Sequence, residues 1–476
     1  MEGLEAIEIN YSFLNSVIDF RIESEYFDKK FLLIDEILNK KKTISFAKIA
    51  TAINGRPYSS DSFNTIKGIK LSKIGDVTNR RDIEDWATVD TKEFDKQKGQ
   101  FLIKGDILMT LTGDPPDVGK VNYIYNPINS SWNQRVAKIK IISDTVYINN
   151  ESLFVVLSTE YSRTQLERFA KGIRQRNLGN ESLERLLLPI LSNDFQIKLK
   201  IIILEKYELL KDSKQSYTQA ENLLLDEIGL QNFAASKEPI NIKSFAASFG
   251  TSGRLDAEYY QKKYEQVVNK VKSKPFDMLS NLVDIKKSIE PGSKNYVENG
   301  LPFMRVADLS KNGLSEPQKY ISDYFVKENQ DKIKKLKPKK GTILFSKDGS
   351  VGIAYHLRQN YNGITSGAIL HLNVKDEKRI IPEYLTLALN SKIVQMQAER
   401  DAGGSIILHW RSSEIENVVV PIIDYKKQEQ IANLIEESFA LKKQSEHLLE
   451  VAKKAVEIAI EENEEVALKY INQETN

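Results

Sequence analysis

The chain has 476 residues, 41% of them hydrophobic, with 68 Lys and Arg against 66 Asp and Glu, four His and no Cys. That length and apolar content allow more than one core and predict two to four domains at roughly 100–200 residues each. The lack of Cys excludes a disulfide scaffold, a thiolate nucleophile and any Cys-ligated metal, four His leave little for imidazole ligation, and a net charge of +2 does not by itself mark a polyanion binder.

In chain order, the opening MEGLEAIEINYSFLNSVIDF lacks a basic start, a long apolar core and a small-residue cleavage site. No later stretch approaches ~18 uninterrupted apolar residues, so a cytoplasmic protein with no membrane partner is expected. Short β-type runs follow (GIKLSKIGDV, FLIKGDILMTL, RVAKIKII), and then a helical stretch, NNESLFVVLSTEYSRTQLERFA. After Pro189 the period changes to that of a long helix over 194–230, with Asp194 as expected N-cap and Gly229 as expected C-cap. The second half repeats the order: LPFMRVADLS, GTILFSKDG and GAILHLNV, the helical PEYLTLALNSKIVQMQAER, and a long helix over 424–470 with Asp424 as N-cap.

The repetition extends to residues. DFRIESEYFDKK (19–30) returns as SGRLDAEYYQKK (252–263), placing Arg21 on Arg254, Glu25 on Glu258 and Tyr26 on Tyr259 at an offset of 233. Gly105 falls on Gly341 and Gly119 on Gly352, across a loop of variable length. Gly172 falls on Gly404 and Pro189 on Pro421 at a constant offset of 232. Chance does not hold register this long, so the chain is read as a duplication.

The expected fold class is α/β (α+β): two repeated mixed α/β domains, 1–191 and 236–422, joined by a central long helix, 192–235, and a C-terminal one, 423–470. An apolar stripe runs along the helices (Ile197, Ile201, Leu204, Leu223, Ile228; Ile431, Leu434, Ile435, Leu448, Ala455, Ile458) and calls for a partner. Pairing of the two helices as an antiparallel coiled coil is the expectation, with a pseudo-two-fold relation between the domains and a fixed separation set by the coil.

Two features invite a catalytic reading. TLTGDPPDVGK (110–120) contains Asp114-Pro115-Pro116, the start of the Asp-Pro-Pro-aromatic tetrapeptide with which DNA amino-methyltransferases hold a flipped base. Here Asp117 takes the aromatic position, no Phe-x-Gly-x-Gly occurs, and the matching loop of the second half, SKDGSVG, has no Pro. The stretch 112–119 is therefore read as a turn between strands. The trio Asp82, Glu84 and Asp85 is the best candidate acidic cluster and reads as a polar loop rather than a metal site. The run DKIKKLKPKK (331–340) reads as a solvated face, with phosphate contact as the alternative.

The duplicated β-rich domain with its KGDIL/KGTIL turn, the approach to LLLPI/VVVPI, and the glutamine near the start of each long helix (Gln196 over Gln428) resemble the DNA-specificity (S) subunits of Type I restriction-modification systems, over about residues 12–465. The resemblance implies two target-recognition domains, each reading half of an interrupted double-stranded DNA site, and helices that bind two methyltransferase (M) subunits. It also implies that the complex methylates adenine at N6 and recruits restriction/translocase (R) subunits. This chain would be non-catalytic and would bind no cofactor or metal, S-adenosylmethionine belonging to the M subunits.

Candidate DNA contacts are polar or basic residues beside strands. In the first half they are Arg56, Tyr58, Lys73, Trp132, Asn133, Gln134, Arg135, Arg174, Gln175 and Arg176. In the second they are Lys294, Arg305, Ser346, Lys347, Thr365, Ser366, His409, Trp410 and Arg411. A coiled-coil assembly protein with no nucleic-acid recognition fits the same periodicity, and DNA affinity with a steep salt dependence separates the two.

Overall fold

Strand-forming runs and amphipathic helices assemble into two units, Met1–Leu210 with Lys443–Asn476 and Lys211–Lys442, in a computed structural model that describes residues 7–11, 22–63, 67–114, 117–142, 147–172, 175–236, 238, 240–404 and 407–475. Arg21, Pro115, Pro116 and Arg174 lie outside the described residues. The division between units runs within the two long helices.

In the first unit an antiparallel sheet has the order Ala50–Asn54, Val136–Ile141, Ile107–Thr110, Val121–Tyr123. Beside it, Ile69–Ser72 pairs antiparallel with Ala87–Val89 and parallel with Ser130–Trp132. Thr43–Ser45 pairs with Leu187–Pro189. The second unit has the same plan. Its antiparallel sheet runs Val283–Lys287, Ile369–Val374, Ile343–Ser346, Ala354–His356. Leu301–Met304 pairs parallel with Ile364–Thr365, and Phe276–Met278 pairs with Val419–Pro421. Both units are thus mixed α/β, as the sequence predicts.

The duplicated glycines explain part of this agreement. Gly105 and Gly341 have φ of 94° and 91°, Gly119 and Gly352 75° and 81°, Gly172 and Gly404 121° and 131°. These values lie in the region that side-chain-bearing residues seldom adopt, so each pair makes the same turn in both units.

The predicted helices within each domain are broken in two. Asn150–Ser158 gives way at Thr159 to Glu160–Phe169, and Pro382–Asn390 gives way at Ser391 to Lys392–Asp401. Thr159 and Ser391 are extended (ψ 159° and 160°), and the Thr159 hydroxyl accepts from the Ser162 amide. Both hydroxyls donate back to the helix they end, Thr159 to the Val156 carbonyl and Ser391 to that of Ala388, and Thr159 also caps the next helix.

The first long helix is Asn193–Glu227. Its N-terminus is held by Ser192 rather than Asp194: the Phe195 amide donates to Ser192 Oγ at 3.3 Å. Gly229 ends it as predicted, at φ 69°, with the Leu230 amide on the Leu225 carbonyl. The second is Tyr425–Glu461, with Asp424 Oδ1 accepting from the Lys426 amide. It stops short of 470 because Asn463 turns extended and caps a separate helix, Glu464–Glu474, through the Val466 amide, with two acids in the first turn.

The apolar stripe also differs from the one read in the sequence. Ile197 and Ile201 are exposed, whereas Phe195, Leu199, Ile202 and Ile203 are buried. At ~100° per residue, position 197 lies about 200° from 195, on the opposite face. In the first unit the buried set packs with Leu448, Val451, Ala452 and Ala455. In the second, Ala220, Leu224 and Ile228 share a core with Ile431 and Ile435, and Ser213 Oγ donates to the Ser438 carbonyl at 2.7 Å. Ser216 reaches Glu437 and Lys427 reaches Glu227, so partner numbers fall as the first helix's rise. Within that unit the helices are antiparallel.

Candidate nucleic-acid interface

In the first unit several sequence-predicted residues converge where Ala50–Asn54, Ile69–Ser72 and Ser130–Trp132 end. Gly55 allows this: a Cβ there would lie 2.2 Å from the Asn133 carbonyl oxygen. Arg56 consequently bridges Asn133 in parallel register, and the Asn133 amide donates to the Ser72 carbonyl at 3.1 Å. Asn133 Oδ1 accepts from the Arg135 amide at 3.0 Å, which tightens the turn and leaves Gln134 and Arg135 exposed. A groove of about 230 Å³ opens here, lined by Asn54, Arg56, Gln100, Ser131 and Trp132 among others. Gln100 was missed by the sequence reading; it sits in an irregular segment, far in sequence from the strands it faces.

Trp132 does not offer its ring. It is 2% exposed, its Nε1 donates to the Ile53 carbonyl at 3.0 Å, and Lys138 lies over its face. Tyr58 is partly buried and stacks with Phe94, and burial raises its phenol. Lys73 extends over the Phe63 ring, 3.9 Å from its centre, while its amide donates to Asp76 Oδ2 at 2.8 Å. Burial pushes the Asp76 carboxyl up, against that hydrogen bond and the pull of Arg81. Gln175 and Arg176 stand apart from this cluster: Arg176–Asn177 pairs with Thr112–Gly113, and Arg176 Nη1 donates to the Glu167 carbonyl at 3.3 Å. Gln175 is exposed, and Arg174 lies outside the described residues.

In the second unit a parallel arrangement forms. The Arg305 amide donates to Asp308 Oδ2 at 2.9 Å, repeating Lys73 and Asp76, and the Arg305 Nε is buried without a hydrogen-bond partner. The Ser366 amide donates to the Met304 carbonyl, which brings Thr365 and Ser366 beside Arg305. Glu290, another residue the sequence reading missed, accepts the Gly367 amide at 2.6 Å. Thr365 is fully buried, its Oγ1 2.8 Å from His371 Nε2. Burial, and then Lys286, pushes that imidazole down to about 4.

Asp348 gathers the next group, meeting Lys347 Nζ at 2.5 Å and His409 Nδ1 at 2.9 Å. The Trp410 amide donates to the Lys347 carbonyl, but the Trp410 ring is 1% exposed and packs against Phe345. Ser346 is buried and bonds the Ser350 carbonyl at 2.6 Å. His409 and Arg411 are exposed, the Arg411 amide being held by Glu414. Lys294 is exposed on a separate turn, Ser293–Asn295. Among the candidates, Trp132, Ser346, Thr365, Ser366 and Trp410 are buried props, and Arg56, Gln134, Arg135, Gln175, Lys294, His409 and Arg411 are exposed donors and acceptors able to reach a polyanion.

Residues 276–451 match the family model described as the Type I restriction modification DNA specificity domain. Over these residues the chain is similar to a Type I specificity domain. The matched stretch begins at the strand Phe276–Met278, takes in the second unit's sheets and the Asp348 cluster just described, and runs into the second long helix. No curated protein matches the chain. Among solved structures, the chain is similar to the S subunit of a Type I restriction-modification system from M. genitalium, at 14% identity and TM-score 0.37, over 90% of this chain and 95% of that one. It is also similar to the HsdS subunit from Thermoanaerobacter tengcongensis, at 12% identity and TM-score 0.29, over 89% and 97%. Among the described residues no helix is long and apolar enough to cross a membrane.

Proposed function

We propose that the chain is the DNA-specificity subunit of a Type I restriction-modification complex, in which each unit reads one half of an interrupted site. One observation carries the extension from one domain to two. The frame of the matched domain, from its parallel strand pair to its turn glycines, recurs in the first unit. The two units differ in the exposed residues beside that frame: Arg56, Gln134 and Arg135 in one, Lys294, His409 and Arg411 in the other. Different side chains on one frame are what reading two different half-sites requires. In this reading the chain performs no chemistry. It presents DNA to two adenine-N6 methyltransferase subunits, which supply S-adenosylmethionine, and to restriction/translocase subunits.

The test is to express the chain with the methyltransferase of its own system and map methylated adenines across a genome. A bipartite motif is expected, and replacing residues 1–191 with the corresponding domain of a related subunit should change one half and leave the other. A change in both halves overturns the one-unit, one-half-site assignment. Salt-insensitive or absent DNA binding by the assembled complex would favour a purely architectural protein.

A further inference from the structure

The second unit contains a group of side chains outside the candidate DNA contacts. His356 closes the strand Ala354–His356, Glu383 lies in the first turn of helix Pro382–Asn390, and Glu436 projects from the second long helix. One potential ligand atom from each lies within 4.8 Å of the other two. His356 is 8% exposed, and neither ring nitrogen has a hydrogen-bond partner. Its Nδ1 stands 3.2 Å from Glu383 Oε1, close to the ~3.3 Å that separates two ligand atoms on a tetrahedral zinc ion. A void of about 10 Å³ adjoins His356 and Glu383, lined also by Arg358, Asn390 and Phe439 among others, and holds about one water-sized body.

The first unit shows what this position looks like without such a group. By the same offsets, the counterparts are Tyr123, Glu151 and Leu204, and the Tyr123 hydroxyl donates to Glu151 Oε1 at 2.6 Å. That frame satisfies its polar atoms with one hydrogen bond and a leucine. In the second unit the phenol has become an imidazole and the leucine a second carboxylate, which leaves two unbonded ring nitrogens facing two acids.

We propose that His356, Glu383 and Glu436 form a divalent-cation site, with zinc as the ion its ligands fit, tying the strand, the short helix and the second long helix together. Imidazole nitrogen and carboxylate oxygen are both zinc ligands, and water can complete the shell. Arg358 and Lys311 are the cations that line the void, and Lys311 is paired with Glu221; Arg358 is the one that meets a proposed ligand. It is held 2.8 Å from Glu436 Oε1 and over the Phe439 ring, so the second Glu436 oxygen remains for the ion. The Glu436 side chain is 49% exposed, which provides an entry path.

The experiment uses the full chain, stripped of metal and titrated calorimetrically with zinc. One equivalent is expected to bind with micromolar affinity or better, and Tm to rise by roughly 5–10 °C at a hundred-fold excess over Kd. Cobalt in place of zinc should give visible absorption bands. His356→Gln and Glu436→Gln should each weaken binding at least ten-fold and remove the bands, whereas His409→Gln should leave both unchanged. Should His356→Gln fail to fold, the partly exposed Glu436→Gln decides. Absence of stoichiometric binding up to about 100 µM zinc, or equal binding by folded variants, overturns the site.

Discussion

Gln165 and Gln397, 232 positions apart in sequence, make the same hydrogen bonds in two different units. The Gln165 side chain donates to the Leu187 carbonyl and accepts the Leu187 amide, both at 3.0 Å. Gln397 donates to the Val419 carbonyl at 3.0 Å and accepts its amide at 2.8 Å. Each buried carboxamide thus stands in for a neighbouring strand at the edge of the pair that precedes a long helix.

Removing either side chain leaves an amide and a carbonyl buried without partners. Gln165→Ala and Gln397→Ala should each cost about 2–4 kcal/mol, measured by urea unfolding of the full chain. A loss below about 0.5 kcal/mol at one site and not the other would show that the two positions are not equivalent.

Trp410 and Arg411 are adjacent but should fail in different ways. Trp410→Ala empties a core position and should cost about 3–5 kcal/mol of stability. Arg411→Ala should leave the unfolding midpoint within error and weaken DNA binding by the assembled complex. If Arg411 contacts a phosphate, the slope of log affinity against log salt should fall by about 1. Unchanged affinity and slope would remove Arg411 from the interface.

His371 makes stability fall in acid. Its ordinary value is 6.5 and burial holds it at about 4 in the folded chain, so the unfolded state takes up a proton that the native state refuses. Its contribution is complete above pH 6.5 and is lost as pH falls from there towards 4, at up to about 1.4 kcal/mol per pH unit. Unfolding curves between pH 7 and 4.5 should show this slope, reduced in His371→Gln. An identical slope in the variant would place the titrating group elsewhere.

The Ser213–Ser438 contact fixes helix register in the second unit. Two residues inserted between Ser213 and Lys214 turn the following face by about 200°, whereas seven nearly restore it. The two-residue insertion should lower the urea midpoint far more than the seven-residue one, and equal losses would argue against registered packing of the pair.

Asp114 is exposed at the end of the short strand Thr112–Gly113, where the sequence reading expected the turn to begin. Asp114→Ala should leave methylation by the assembled complex within a few-fold of normal, and the isolated chain should not bind S-adenosylmethionine. Micromolar binding of that cofactor to this chain alone would contradict a non-catalytic subunit.

Most of the frame was legible in the sequence because it was written twice. The paired glycines and the offset of 232–236 residues between the halves anticipated matching turns, and Gly229 and Asp424 anticipated helix ends. What stayed hidden depends on geometry that adjacent letters do not carry. Ile197 and Ile201 look like core residues, yet Phe195 and Leu199 take the inward face. Trp132 and Trp410 sit in polar stretches, but partners far along the chain draw both rings inside. Asn463 is one polar residue among acids, and only its extended backbone shows that the helix stops there.

The glutamine clasps have an evolutionary consequence. Gln196 takes the Asn149 amide and gives to the carbonyls of Tyr147 and Leu191; Gln428 takes the Ile381 amide and gives to those of Arg379 and Ile423. Each clasp ends on main-chain atoms, which are the same whatever residue supplies them. The joint therefore demands identity at the glutamine and almost nothing from the residues it grips. Neighbouring positions are free to drift, and a foreign half that brings its own glutamine arrives with its fastening intact. Diversity in what is recognised can accumulate without eroding the scaffold that presents it.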